Sequence, residues 1–131
     1  MIDAETKIFN RVHAAVAPLC AAKKFVSVQV VSPVALPAAS LVEIGNSTVR
    51  SRQDTSLREN YCRLAYQLDV YAKTKGKCRE ILAAADDEMI KMNFCRFSGQ
   101  YIDNPGNPTV FRYVARYEAE IDRNGNLYRV S

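Results

Sequence analysis

Residues Cys62 to Tyr71 read C-R-L-A-Y-Q-L-D-V-Y, and Leu64, Tyr66, Leu68 and Val70 alternate there with Arg63, Gln67 and Asp69. Successive side chains of a strand point to opposite faces, so this stretch is predicted as a strand with one face in a core and the other toward water. The next residues, A-K-T-K-G from Ala72 to Gly76, break the alternation. From Lys77 the apolar period becomes helical: Ile81, Ala85, Met89 and Met92 lie three or four apart, with Leu82 beside them. Asp86, Asp87, Glu88 and Lys91 fall on the side expected to stay wet. Asn93 suits a helix stop, and Phe94 to Tyr101 reads as the following strand. Such a strand–helix–strand unit supplies a sheet with both its middle and its cover.

On the N-terminal side, Asp3 to about Ala17 is predicted as a helix, with Ile2, Ile8, Phe9, Val12, Val16 and Leu19 on one stripe. Asp3 suits the helix start, and Pro18 forces an end near Ala17. Lys23 and Lys24 mark the exit. Phe25 to Val31 is rich in β-formers and reads as a strand; Ser32 to Ser40, with Pro33 and Pro37, reads as a loop. Leu41 to Ile44 is expected to be a short strand closed by a Gly45-Asn46 turn. Thr48 to Arg52 would continue as an extended arm, and Gln53 to Asn60 as an exposed, mobile loop.

On the C-terminal side, D-N-P-G-N-P from Asp103 to Pro108 is a turn signal. Thr109 to Ile121 alternates: Phe111, Tyr113, Ala115, Tyr117, Ala119 and Ile121 share one face, Arg112, Arg116, Glu118 and Glu120 the other. Asn124-Gly125 signals a hairpin, with Leu127 to Val130 returning. The expected fold class is α+β: a single domain over residues 1–131, a largely antiparallel β-sheet with two α-helices packed on one face.

The chain has 131 residues, 48% hydrophobic and 24% charged, which suits one core without disulfide support. Its four cysteines, Cys20, Cys62, Cys78 and Cys95, form no C-x-x-C pair, and His13 is the only histidine. Structural zinc needs four closely spaced ligands, so buried free thiols in a reducing cytoplasm are the expectation. No apolar run is long enough for a membrane helix, and Asp3 and Glu5 are wrong for a signal peptide. A net charge of +4 permits contact with nucleic acid or an acidic protein without arguing for either.

Asp69-Val-Tyr-Ala-Lys73 superficially resembles the carboxylate-and-lysine pattern of a Mg²⁺-dependent nuclease, but Tyr71 stands where a second carboxylate belongs. The plainer reading has Asp69 facing solvent and Lys73 ending the strand. His13 has no triad-like company, so a surface or partly buried histidine is expected. Gly76 in K-T-K-G-K-C sits where a phosphate-binding turn would, yet the Walker residues are missing, and a plain strand-to-helix turn is expected. No cofactor, metal or catalytic residue is assigned. The candidate surface is arginine-rich: Arg50, Arg52 and Arg58 around the polar loop, and Arg112 and Arg116 with Val110 and Val114 on the outward row of the last long strand. Apolar residues mixed with charges on one face suit a protein contact. Glu59, Glu118 and Glu120 nearby weaken any phosphate-tracking role.

The segment Glu43 to Phe97 also resembles a family. Its marks are E-I-G-N-S-T-V-R, a polar insert, Y-Q-L-D-V-Y-A-K, K-G-K-C, D-D-E-M and M-N-F-C-R. This pattern is similar to the tail terminator, or tail completion, proteins of long-tailed bacteriophages and prophages. The resemblance implies a small α+β structural protein and no enzyme. Such proteins close into a homo-oligomeric ring, usually of six subunits, on the end of the tail tube, where the ring stops tube growth and offers the surface that joins the head. It implies as partners the chain itself, the tail tube protein and a head-completion or connector protein, with DNA passing through the lumen. It places the protein in the bacterial host cytoplasm during assembly and then in the virion's tail or neck. The alternatives are a head-closure ring and, in a different class, the small nuclease.

Overall fold

The computed structural model describes residues 2–20, 25–26, 37–49, 61–102 and 110–129. The predicted loops over 53–60 and 103–108, Lys23 and Lys24, most of the strand expected over 25–31, and Arg50, Arg52 and Arg58 lie outside the described residues.

In chain order the elements are α1 (Glu5–Val16), a 3-10 turn (Ala17–Leu19), β1 (Phe25–Val26), β2 (Ala38–Thr48), β3 (Tyr61–Ala72), α2 (Lys75–Lys91), β4 (Cys95–Ile102), β5 (Phe111–Asp122) and β6 (Leu127–Tyr128). They form a six-stranded sheet in the order β1-β2-β3-β5-β4, with β6 also beside β5. Every described pairing is antiparallel except that of the two-residue β1, which runs parallel to β2. The class is therefore α+β, as expected.

Both helices cover one face. Ile8, Val12 and Val16 of α1 and Cys78, Ile81, Leu82, Ala85 and Met89 of α2 join Leu64, Tyr66, Leu68 and Val70 of β3 in one buried cluster. Ala115, Tyr117, Ala119 and Ile121 of β5 complete it. Each large apolar side chain withdrawn from water in this way contributes about 1.5–3 kcal/mol.

The helix ends follow their local chemistry. The N-terminal residue of α2 is Lys75, two before the expected start, because the Thr74 hydroxyl caps it by accepting the Lys77 N–H at 3.2 Å. At its other end Asn93 has φ 69°. Asn93 N–H then bonds Ile90 O at 2.9 Å and Phe94 N–H bonds Met89 O at 3.0 Å, the pattern that closes a helix with a left-handed residue. Ala4 precedes α1, and Asp3 Oδ1 accepts the Glu5 N–H at 3.1 Å. Pro18 sits inside the 3-10 turn where α1 ends, as expected.

Two turns differ from their sequence reading. Gly45-Asn46 does not close a hairpin: β2 runs through it to Thr48, with a bulge between Glu43 and Gly45. The extra residue is absorbed by the bulge, and pairing with β3 resumes at Gly45 opposite Ala65. At the β5–β6 hairpin only Gly125 has positive φ, +85°. Asp122 O accepts the Gly125 N–H at 3.1 Å, and Asn126 O accepts the Asp122 N–H at 3.0 Å. This is a three-residue loop with a left-handed glycine rather than a two-residue Asn-Gly turn. On the outermost strand, β4, a Cβ at Gly99 would lie 2.6 Å from the Tyr113 hydroxyl. The Tyr113 ring thus occupies the space of a side chain at that position.

Candidate functional site

The strand registers define what stands on the sheet face away from the helices. Reading across β2, β3, β5 and β4, Ala38, Tyr71, Arg112 and Ile102 share one row, and Ser40, Asp69, Val114 and Gln100 the next. Val42, Gln67, Arg116 and Ser98 form a third. The predicted outward row of β5 thus meets β3 residues that carry its hydrogen-bond partners.

Asp69 does not face solvent as expected: it is 0% exposed. Its Oδ1 accepts from Arg112 Nη2 at 2.8 Å and Nε at 3.2 Å, and its Oδ2 accepts from Gln67 Nε2 at 3.1 Å. Gln67 Oε1 in turn accepts from Arg116 Nε at 3.1 Å. The Arg112 guanidinium also lies 5.5 Å from the centre of the Tyr71 ring. A buried carboxylate needs such partners, because desolvating an unpaired charge costs several kcal/mol. The chain Arg112–Asp69–Gln67–Arg116 leaves the two arginines in different states: Arg112 is largely withdrawn, whereas Arg116 is exposed and its terminal nitrogens bond no described residue.

Between these side chains lies a cleft of about 350 Å³ lined by Gln67, Ser98, Gln100, Ile102, Arg112, Val114 and Arg116. No acid is among the described lining residues; the Asp69 carboxylate is buried behind Arg112 and Gln67. Arg112, Val114 and Arg116 are thus brought together as predicted. The two valines are placed otherwise than expected: Val114 is 8% and Val110 9% exposed, so neither is a free apolar surface. Glu120, expected beside the arginines, is buried farther along β5 with Arg63 at 3.6 Å. Sequence reasoning missed Gln67, Ser98, Gln100 and Ile102 as lining residues. Alternation placed Gln67 on the correct face, but only the β3–β5–β4 register brings these residues together.

On the helix side, Asp86 is drawn inward rather than left wet. Its Oδ1 accepts from the Tyr117 hydroxyl at 2.6 Å and from Arg96 Nη1 at 3.0 Å. Burial first, then Asp86, holds the Tyr117 phenol far above its ordinary value; Asp86 likewise raises Arg96. Near the start of α1, burial first and then the charges of Glu5 and Asp3 raise the Glu43 carboxyl. Tyr66 beside it is raised mainly by burial and then by the charge of Glu43. Glu43 Oε1 and the Tyr66 hydroxyl are buried without a good hydrogen bond among the described residues.

The other candidates resolve into structural roles. Gly76 lies in the first turn of α2 rather than in the expected strand-to-helix turn, and Lys75 and Arg79 beside it engage aromatic groups: Lys75 Nζ is 5.4 Å from the Tyr101 ring centre, and Arg79 Nε donates to the Tyr101 hydroxyl at 3.0 Å. A side chain at Gly76 would meet nothing within 4 Å, unlike the crowded glycines of a phosphate loop. His13 is exposed, its ring 5.7 Å from that of Phe9. All four cysteines are free, Cys62 and Cys78 buried and Cys20 and Cys95 half-buried. Burial pushes the Cys20 thiol up to about 11 and raises Cys78, which disfavours thiolate chemistry at both.

No family model matches the sequence. No match to it was found among curated proteins.

Proposed function

We propose that this chain is a virion structural protein that assembles into a ring on the end of a phage tail tube, where it terminates tail growth and offers the head-joining surface. The observation that carries this reading is the one-sided sheet. Two helices cover one face, while the other carries a cleft in which the buried Asp69 carboxylate holds Arg112 and Gln67 holds Arg116. That arrangement supports the reading of this face as a contact surface. A ring of identical subunits needs two different patches on each copy, and this face supplies one of them. The partners in this reading are the tail tube, a head-completion or connector protein and other copies of the chain, with DNA passing through. Assembly takes place in the bacterial cytoplasm.

A head-closure ring is the second reading, since it needs the same kind of contact. The nuclease reading finds less support. The Asp69 carboxylate is engaged by Arg112 and Gln67, and no group of three acidic, histidine or cysteine side chains is placed to hold a metal among the described residues. Electron microscopy of the protein mixed with tail tubes tests the proposal. A ring seated on the tube end is expected. Binding only to capsid portals would favour head closure, and DNA cleavage with Mg²⁺ would overturn the structural reading.

A further inference from the structure

Among the described residues that line the sheet cleft, Arg112 is neutralised by the buried Asp69, whereas the terminal nitrogens of Arg116 make no hydrogen bond or ion pair with a described residue. Its Nε is held by Gln67, which is held by the buried Asp69, so the guanidinium is aimed before any partner arrives. An arginine oriented in this way offers its two remaining nitrogens as a fork that fits a carboxylate.

An acidic corner lies on the other layer and the other flank. Glu43 sits on the helix side of β2, opposite Tyr66, and β2 is separated from β4 by β3 and β5. The start of α1 docks beside it, with Asn46 Nδ2 donating to Ile2 O at 2.8 Å. Burial first, and then the charges of Glu5 and Asp3, raise the Glu43 carboxyl, and among the described residues no lysine or arginine forms an ion pair with any of the three. Like charges gathered in this way destabilise a lone subunit; a cationic surface brought against them removes the penalty.

We infer that the cleft of one copy receives the Asp3–Glu5 corner of the next, with Arg116 as the anchor and Gln67 as its positioning residue. This inference rests on the ring reading above. Cleft and corner are unlike patches on opposite layers and flanks of one subunit, so a contact between them is suited to joining copies head to tail. Such a contact generates a closed ring when the rotation between copies allows.

Light scattering against protein concentration, at low and high salt and with and without tail tubes, tests it. Arg116→Glu is expected to weaken self-association at least about tenfold. Gln67→Leu, which keeps the charge and removes the hold, is expected to weaken it by a few-fold. Adding Asp3→Lys and Glu5→Lys to Arg116→Glu is expected to restore assembly. Unfolding curves confirm that each variant is folded, and Arg116→Gln serves as a milder substitute. If the wild-type chain assembles and Arg116→Glu assembles equally well, the inference fails while the ring reading stands. Loss without rescue by the swapped charges would also overturn it, since the acidic corner would then not be the occupant. If the wild type never self-associates, even on tubes, the ring reading itself falls.

Discussion

On the helix side of β3, Leu64, Tyr66, Leu68 and Val70 pack among apolar residues of α1, α2 and β5. On the other side of the same strand, Gln67 and Asp69 meet Arg116 and Arg112 through directed hydrogen bonds. The first face is stabilised by area withdrawn from water, which many combinations of side chains can supply. The second depends on particular atoms. Removing one partner there leaves a charge in a place where water cannot reach it.

The largest expected effect tests that difference directly. Arg112→Ala strands the Asp69 carboxylate and is expected to cost about 3–5 kcal/mol in urea unfolding. Adding Asp69→Asn removes the charge, so the double variant should recover part of the loss; a double variant no better than the single would refute the buried-charge account. Leu68→Ala, on the helix face, is expected to cost about 3 kcal/mol through lost transfer energy and a cavity. Its cost should add to that of Arg112→Ala only if the two faces act independently, which the combined variant measures.

A smaller effect concerns pH. The folded state raises the Glu43 carboxyl, mainly by burial and then by Glu5 and Asp3, so it binds that proton more tightly than the unfolded chain does. This contribution is therefore lost as pH rises from the ordinary carboxylate range through the raised value. Glu43→Gln should flatten that part of the stability profile and leave the protein slightly more stable at neutral pH. Matched denaturation series of both proteins across acid pH would show it. The smallest effect is expected at Arg116: its replacement by Ala should move the monomer's stability by no more than about 0.5 kcal/mol, since the side chain is exposed. A larger loss in thermal unfolding would mean that Arg116 belongs to the fold rather than to a contact.

Period-two patterns made β3 and β5 legible, and the Ile81–Ala85–Met89 spacing made α2 legible, because each element keeps one face against a single core. The course of β2 was not, since a Gly-Asn pair has the same composition whether it turns a chain or follows a bulge. The burial of Asp69 was hidden for a different reason. Alternation assigns it to the second face, but its partner Arg112 is 43 residues away and is brought alongside only by the pairing of β3 with β5. Asp86 is a similar case: helical spacing points it outward, and Tyr117 and Arg96 draw it in. Of the predicted site, Arg112 and Arg116 were readable as a pair on one face; which of them stays available was decided by Asp69.

The phenol of Tyr113 lying where a side chain of residue 99 would stand has a mechanical outcome for β4. The Tyr101 ring already packs edge-on against Tyr113 at 4.9 Å, so a shift of β4 that brought this ring to the place of Gly99 would collide with the phenol. Among the described residues, the absent side chain at position 99 thus keys β4 to β5.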